Sequence, residues 1–400
     1  MPAESSTPRA VILGADTNGL AHVRALGKMG ICSYVVCSGT DHMNLARFSK
    51  YCEALFVSSD AENYEKNLKK TLIDLGRRLR SSLVIFPTSD FFVNFLSSNN
   101  SQLKKYFLFN VPSSDVLRLI VNKFETDRMA QSLGIRSPKT VEMGLSETAG
   151  SISKSLSFPC IVKPKDSFSI AFPWKNKIIA TQNELENFLK KYHSLKEHVV
   201  IQEIIPGEEQ NIYQCTAYIG YQSEAQFFTM QKIHQRPPGY GVATLGRSVT
   251  VPKLIAATKN LLSGIGYTGF ASVEFKQSDN DDNYYLIEVN PRLPWYNALF
   301  LASGVNFPYR CFIDLSKGKE HDGLPVDMQK DDVYWMHFSH EISSLAQKKA
   351  QRIPINILKT IQYIAKARSF AYFDPFDLKP FLMVNLELVN SMREKFFGSS

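Results

Sequence analysis

Between Ala271 and Arg292 the chain spells out two strands and the turn that joins them. The first is Ala271-Ser-Val-Glu-Phe-Lys276 and the second is Tyr285-Leu-Ile-Glu-Val-Asn-Pro-Arg292. Ser278 to Asn283 lies between them, built of Ser, Asp and Asn, which favour tight reversal. A hairpin centred on Asp281 sets Glu274 directly opposite Glu288. Side chains alternate along a strand. Ser272, Glu274 and Lys276 then share a face with Leu286, Glu288 and Asn290. Val273 and Phe275 share the other face with Ile287 and Val289. The second face can pack on a core. The first gathers two carboxylates and an amide. Like charges directly opposite are destabilising by themselves. A divalent cation would turn that repulsion into coordination, and oxygen-only donors favour Mg²⁺. A solvated acidic strand accounts equally well for Glu274 and Glu288 alone. The register, Asn290 and the Pro291-Arg292 that follows weigh against it.

The start of the chain predicts a different architecture. Ala10-Val-Ile-Leu-Gly14 is a short apolar run ending in glycine, as in a buried parallel strand entering a loop. Asp16, Asn18 and Gly19 form the loop, and Leu20 to Met29 predicts a helix stopping at Gly30. Ser33 to Cys37 and Leu83 to Pro87 predict further strands, with a helix near Tyr64 to Arg80. Strands alternating with helices predict a doubly wound parallel sheet over residues 9–112. Residues 1–8 are expected to be disordered. Beyond Ser113, a helix over Asp115 to Leu133 ends at Gly134. Strands are expected at Phe158 to Lys163 and Val199 to Glu203, then a strand-rich stretch from Ile212 to Ile233. The fold class is therefore mixed, α/β followed by α+β.

Composition excludes several classes. The 400 residues suffice for two or three domains. A 44% apolar and 21% charged chain is of ordinary globular type. Met1 to Arg9 lacks the basic start and apolar run of a signal peptide. No stretch reaches the ~18 apolar residues of a membrane span. The six cysteines are scattered without CxxC spacing, which predicts reduced thiols in a cytoplasmic protein and no zinc site. The net charge of +8 is dispersed rather than clustered, so no nucleic-acid partner is expected. It suits a protein that holds polyphosphate and anionic substrates.

Two lysines and one strand complete the set. Phe158-Pro-Cys-Ile-Val-Lys163-Pro164 is an apolar strand ending in a point charge suited to phosphate. Lys123 lies on a helix. Val199-Val-Ile-Gln-Glu203-Ile-Ile-Pro-Gly207-Glu-Glu209 is a strand whose end can set backbone groups against an adenine edge. Taken singly, these are a snorkelling lysine, a helix-surface lysine and a core strand.

Taken in order, they resemble the ATP-grasp superfamily of carboxylate–amine ligases. The ordered set is Lys123 before Gly134-Ile135 and Pro138, then Ile161-Val-Lys-Pro164, Gln202-Glu-x-x-Pro-Gly207, Glu274, and Glu288-Val-Asn-Pro-Arg292. The resemblance spans about residues 9 to 320. It implies a two-lobed ATP-grasp fold, with lobes over 113–198 and 199–320, and leaves 321–400 as a C-terminal helical tail. It also implies roles. Lys123 and Lys163 would hold the phosphates of ATP. Gln202, Glu203 and Ile204 would form the adenine hinge, and Glu209 would take the ribose. Glu274, Glu288 and Asn290 would hold two Mg²⁺ ions, with Mn²⁺ as an alternative. Arg292 would stabilise charge on an acyl phosphate and a tetrahedral intermediate. The substrates would be a small-molecule carboxylate and an amine, and a homodimer is expected by analogy.

Gly14-Ala-Asp-Thr-Asn-Gly19, Phe86-Pro-Thr-Ser-Asp90 and Gly239 to Gly246 resemble a branch of uncharacterised carboligases within that superfamily. In that branch Asp16, Asn18, Thr88, Ser89 and Asp90 become candidate substrate contacts, because open α/β sheets bind ligands at the carboxyl ends of strands. A helix N-cap accounts equally well for the Thr88 to Asp90 stretch. Arg236 and Arg247 flank the Gly239–Gly246 loop and could hold phosphate or a carboxylate. One departure stands out. The stretch Lys165 to Lys175 contains no glycine where relatives carry a glycine-rich loop, so Phe168, Phe172 and Trp174 are expected to act as an aromatic lid.

A non-catalytic ATP-binding protein is the main alternative. A dinucleotide-dependent oxidoreductase is disfavoured, because the first loop reads Gly14-x-x-x-x-Gly19 rather than GxGxxG. Biotin-dependent carboxylation is disfavoured by the lack of a biotin-carrier-like segment. Ile353 to Arg368 mixes apolar and basic residues and could touch a membrane surface. Packing back on the body as core is the favoured expectation for it.

Overall fold

A computed structural model describes residues 9–38, 44–57, 62–79, 83–144, 147–166, 172, 174, 176–221, 224–317 and 326–386. The expected disorder of 1–8 and most of the glycine-free stretch fall outside these residues.

The first sheet is parallel and five-stranded. Its strands are β1 (Ala10–Leu13), β2 (Ser33–Ser38), β3 (Cys52–Val57), β4 (Leu83–Pro87) and β5 (Phe107–Leu108), in the order β3-β2-β1-β4-β5. The short apolar runs are explained by burial on both faces. Val11 and Leu13 enter one hydrophobic core, and Ala10 and Ile12 enter another. A doubly wound sheet requires this. The edge strand β3 is only partly buried, and its weak apolar pattern gave no signal in the sequence. Gly14 sits at φ +106°, and a Cβ there would meet Thr88 Oγ1 at 2.3 Å. The glycine is thus needed for the first loop to approach the loop after β4.

The second sheet has four strands, β6 (Thr140–Glu142), β7 (Cys160–Pro164), β8 (Lys177–Ile179) and β9 (Val199–Glu203), in the antiparallel order β6-β9-β7-β8. It has its own core, with Ile152, Val162, Leu185, Phe188 and Ile201 at its centre. Trp174 packs there, its ring 5.4 Å from Phe188 and 6.0 Å from Tyr192. Phe172 lies 5.2 Å from Trp174. Phe168 lies outside the described residues.

The third sheet has seven strands. They are β10 (Ile212–Ile219), β11 (Gln226–Arg236), β12 (Val242–Ser248), β13 (Gly269–Gln277), β14 (Tyr284–Asn290), β15 (Tyr334–Met336) and β16 (Ala367–Phe370). Their order is β14-β13-β10-β11-β12-β15-β16. All pairings are antiparallel except β15 with β16.

The segment expected to be a helical tail differs from that expectation. It supplies two strands to this sheet, and its helix Phe338–Ala350 is bolted on by buried polar contacts. Glu341 accepts from Thr244 Oγ1 at 2.5 Å and bonds His234 Nδ1 at 2.6 Å. Further along, Asp377 accepts from Arg24 Nε at 3.0 Å and Ser49 Oγ at 2.8 Å, tying the end of the chain to the first sheet's layer. Strands of three or four residues carry too little pattern to be read from sequence. Buried charges hold the segment because each finds a partner.

Candidate functional site

A cleft of about 750 Å³ is lined by the ends of the second and third sheets and by the loops after β1 and β4. Ile161 and Lys163 of β7 and Gln202 to Ile205 from β9 line one side. Gln214 of β10, Lys232 of β11, and Glu274 and Glu288 from β13 and β14 line another. The cleft therefore brings together most of the residues singled out from sequence.

The hairpin holds the expected register at its functional end. Ser272 pairs with Asn290, Val273 with Val289 and Glu274 with Glu288. Towards the turn the register slips by one residue, so Phe275 faces Leu286. The extra residue is Ile287, and this corrects the face assignment. Leu286 joins Val273, Phe275 and Val289 in the core, while Ile287 turns into the cleft beside Glu288. Bulges re-aim side chains in this way near functional sites. Asn290 Nδ2 donates to Glu288 Oε1 at 3.0 Å. Among the described residues no group of three His, Cys, Asp or Glu converges as a metal site. The donor set is two carboxylates and an amide, all hard oxygen donors that fit Mg²⁺.

Lys232 was not legible as a site residue. Its Nζ donates to Glu274 Oε2 at 2.5 Å, and Gln214 Nε2 donates to the same oxygen at 3.0 Å. Lys232 and Glu274 are both buried. No alternation marked it, because β11 is buried over most of its length and its register shifts between Lys232 and His234. What brings Lys232 to Glu274, 42 residues away, is that β11 and β13 flank β10 on either side, so the two side chains meet across that strand.

Lys163 is buried, and its Nζ donates to Gln202 Oε1 at 2.8 Å. Gln202 Nε2 in turn donates to Asp127 Oδ2 at 3.1 Å and to Thr140 Oγ1 at 2.9 Å. Burial lowers the Lys163 ammonium below its ordinary value, and the Glu288 carboxylate works against that shift. Burial pushes the Asp127 carboxyl up to about 6, opposed by its hydrogen bond from Thr140 and by the Lys163 charge. A folded-state value raised above the unfolded one gives stability present below about pH 4 and lost as pH rises through about 6. For a carboxyl moved from 3.8 to about 6 this amounts to about 3 kcal/mol. Asp127→Asn should therefore gain stability relative to the parent protein as pH rises from 4 to 7.5. Urea titrations of both proteins at the two pH values test this, and a pH-independent difference counts against the role of burial.

Lys123 is placed differently from expectation. The single helix predicted over Asp115 to Leu133 is two helices, Ser114–Val121 and Lys123–Ser132. Asn122, in an extended conformation between them, accepts from Phe124 N at 3.1 Å and Glu125 N at 3.2 Å. That cap starts the second helix at Lys123, whose side chain lines the cleft. At the β9 end, Glu203 N donates to Lys139 O at 3.0 Å. Ile204 is half-buried in the wall, and its amide takes no partner among the described residues.

Arg292 also lines the cleft. Its Nε donates to Asp90 Oδ1 at 2.9 Å and its Nη2 to Asp90 Oδ2 at 3.4 Å. Asp16, Asn18, Thr88 and Ser89 line the cleft too. Their side chains serve the fold as well. Asp16 caps the helix Thr17–Gly27 through Gly19 N at 3.0 Å. Asn18 donates to the carbonyls of Thr88 at 2.7 Å and Leu293 at 2.9 Å. Thr88 Oγ1 donates to Leu13 O at 2.6 Å, and Ser89 is the N-cap of the helix Asp90–Ser98.

Three expected residues are not brought to the cleft wall. Glu209 is ion-paired with Lys348 and accepts from Gln235 N at 3.1 Å. Arg247 is held by Asp332 at 2.7 Å and Gln231 at 2.9 Å. Arg236 lies beside His337 and His340, and its charge helps burial lower both imidazoles, His337 to about 3 and His340 to about 4. These two rings stack on Trp295, which does line the cleft, at 4.8 and 5.0 Å.

No protein-family model matches the chain. The chain is 23% identical over 324 residues to D-aspartate ligase of Enterococcus faecium, covering 74% of each protein. It is 26% identical over 184 residues to D-alanine–D-alanine ligase of Pseudomonas entomophila, covering 43% of this chain and 54% of that protein. Its fold is similar to biotin carboxylase from Campylobacter jejuni, with a TM-score of 0.62, 16% identity, and coverage of 82% of this chain and 75% of that one. N5-carboxyaminoimidazole synthetase from Staphylococcus aureus, solved with ADP, gives a TM-score of 0.60, 15% identity and 82% coverage of both chains. The ordered lysines, hinge strand and acidic hairpin in one cleft, together with these similarities, support an ATP-grasp carboxylate–amine ligase.

Proposed function

We propose that the protein activates a small-molecule carboxylate with ATP and joins it to an amine through an acyl phosphate. The carrying observation is one cleft lined by Lys123, Lys163, Glu274, Glu288, Asn290 and Arg292. In this reading Lys123, Lys163 and Lys232 hold phosphate oxygens. Gln202 fixes Lys163, and the Glu203–Ile204 backbone receives the adenine. Glu209 is left out of the ribose site, because Lys348 already takes its carboxylate. Glu274, Glu288 and Asn290 would hold one or two divalent cations, Mg²⁺ or Mn²⁺. A bound cation would neutralise charge on the transferring phosphoryl group.

The rest of the chemistry is positioning. A carboxylate oxygen attacks the γ-phosphorus, and the bond to the ADP oxygen breaks. The amine nitrogen then attacks the acyl carbon, loses a proton, and phosphate leaves. Arg292, oriented by Asp90, stabilises the negative charge that grows on the acyl oxygen. Similarity to the D-aspartate and D-alanine–D-alanine ligases supports an amino acid as one reactant. Arg236 lies off the cleft wall, beside His337 and His340, and would meet only an anionic substrate that extends past Trp295.

Product analysis by mass spectrometry tests the reading. The protein is incubated with Mg²⁺-ATP and pooled amino and carboxylic acids. ADP with a new condensed mass is the expected result. AMP would replace the acyl phosphate by an adenylate, and no ATP binding would overturn the reading of the cleft.

A further inference from the structure

The helix Ile357–Lys366 does not pack as core, contrary to the expectation from its apolar content. Ile357, Leu358 and Ile361 are 66%, 77% and 57% exposed, and Ile364 is 36% exposed. At roughly 100° per residue these four fall on one arc of about 120°. The inner side of the helix is fixed. Thr360 is buried, and Tyr363 stacks on Tyr334 with ring centres 5.8 Å apart. The apolar stripe therefore faces outward because of how the helix packs. Lys359 and Lys366 lie on the other side of the helix, with their ammonium groups 5.8 and 5.6 Å from the centres of the Tyr363 and Tyr334 rings. From Ala346 to Ser369 the chain carries six Lys and Arg and no Asp or Glu.

We propose that this face is a docking surface for an anionic lipid bilayer. An outward apolar stripe on a helix whose polar side is basic is the pattern of a helix lying in a membrane interface. The helix has ten residues, too few to span, and no described helix is long and apolar enough to cross a membrane. Charge also separates the candidate occupants. In a two-fold contact the same patch meets itself, so its exposed cations would face their own copies. Anionic headgroups complement them instead, while the isoleucines and Leu358 enter the acyl boundary.

The full chain is sedimented with vesicles of phosphatidylcholine alone and of phosphatidylcholine mixed with phosphatidylglycerol. Binding to the mixed vesicles, weakened by salt, is expected, with little to the neutral ones. Leu358→Glu with Ile361→Glu should weaken binding roughly a hundredfold, as removal of two buried apolar side chains implies. Lys359→Gln with Lys366→Gln should weaken it too and reduce its salt dependence. Both variants should keep the parent's circular dichroism and ATP turnover. Recovery of the parent in the supernatant would overturn the proposal, as would variants that bind like it. Light scattering that shows a dimer dispersed by Leu358→Glu, with no vesicle uptake by the parent, would overturn it in favour of a second copy.

Discussion

Glu288→Gln is expected to lower kcat by roughly a hundred- to a thousandfold while leaving the protein folded. The argument starts from the strand pairing. Glu274 and Glu288 face each other across β13 and β14. Glu274 already receives Lys232 and Gln214 on one oxygen. Glu288 receives Asn290 on one oxygen and lies near the buried Lys163 ammonium. Glutamine preserves shape and one acceptor but removes the charge a divalent cation needs. It also relieves like-charge opposition across the strands, so stability should stay level or rise. The expected pattern is a lost rate, a larger Mg²⁺ requirement and a melting midpoint that does not fall. Steady-state kinetics over a Mg²⁺ series and a thermal melt read all three. Loss of folding would instead make Glu288 a structural member of the hairpin.

The same hairpin shows which parts of the protein the sequence could reveal. Its turn has a recognisable composition and its strands alternate strictly, so Glu274 opposite Glu288 follows from local pattern alone. The bulge at Ile287 does not follow. A one-residue slip leaves no compositional mark, and an isoleucine fits either face. The parallel sheet was legible because β1, β2 and β4 are short apolar runs buried on both faces. The ends of the cleft were less so. Asp127, Thr140, Lys163 and Gln202 form one network from four segments up to 75 residues apart, and only the fold brings them together. Apolar content also misled for Ile357–Lys366. Composition indicates that a helix has an apolar stripe, but the direction of the stripe depends on the neighbour the other side finds. Here Tyr334 captures Tyr363, and the isoleucines are left outside.

Arg292→Ala should lower kcat by roughly a hundred- to a thousandfold, with little effect on ATP binding. Arg292 lines the same cleft as Thr88, Ser89 and Asp90 and is held by Asp90. Asp90 takes its Nε and Nη2, which leaves Nη1 to point along a direction the carboxylate sets. The pair is partly exposed, so it contributes on the order of 1 kcal/mol or less to stability. A large effect on turnover would therefore not be a folding effect. Asp90→Asn tests the orientation separately. It should lower kcat less than Arg292→Ala, and the double variant should be no slower than Arg292→Ala alone. That non-additivity is what a positioning residue acting through its partner produces. Additive losses would mean that Asp90 touches the substrate itself. If Arg292→Ala instead raised the ATP dissociation constant in step with the fall in kcat, Arg292 would be a nucleotide ligand, and the acyl oxygen would need another source of stabilisation.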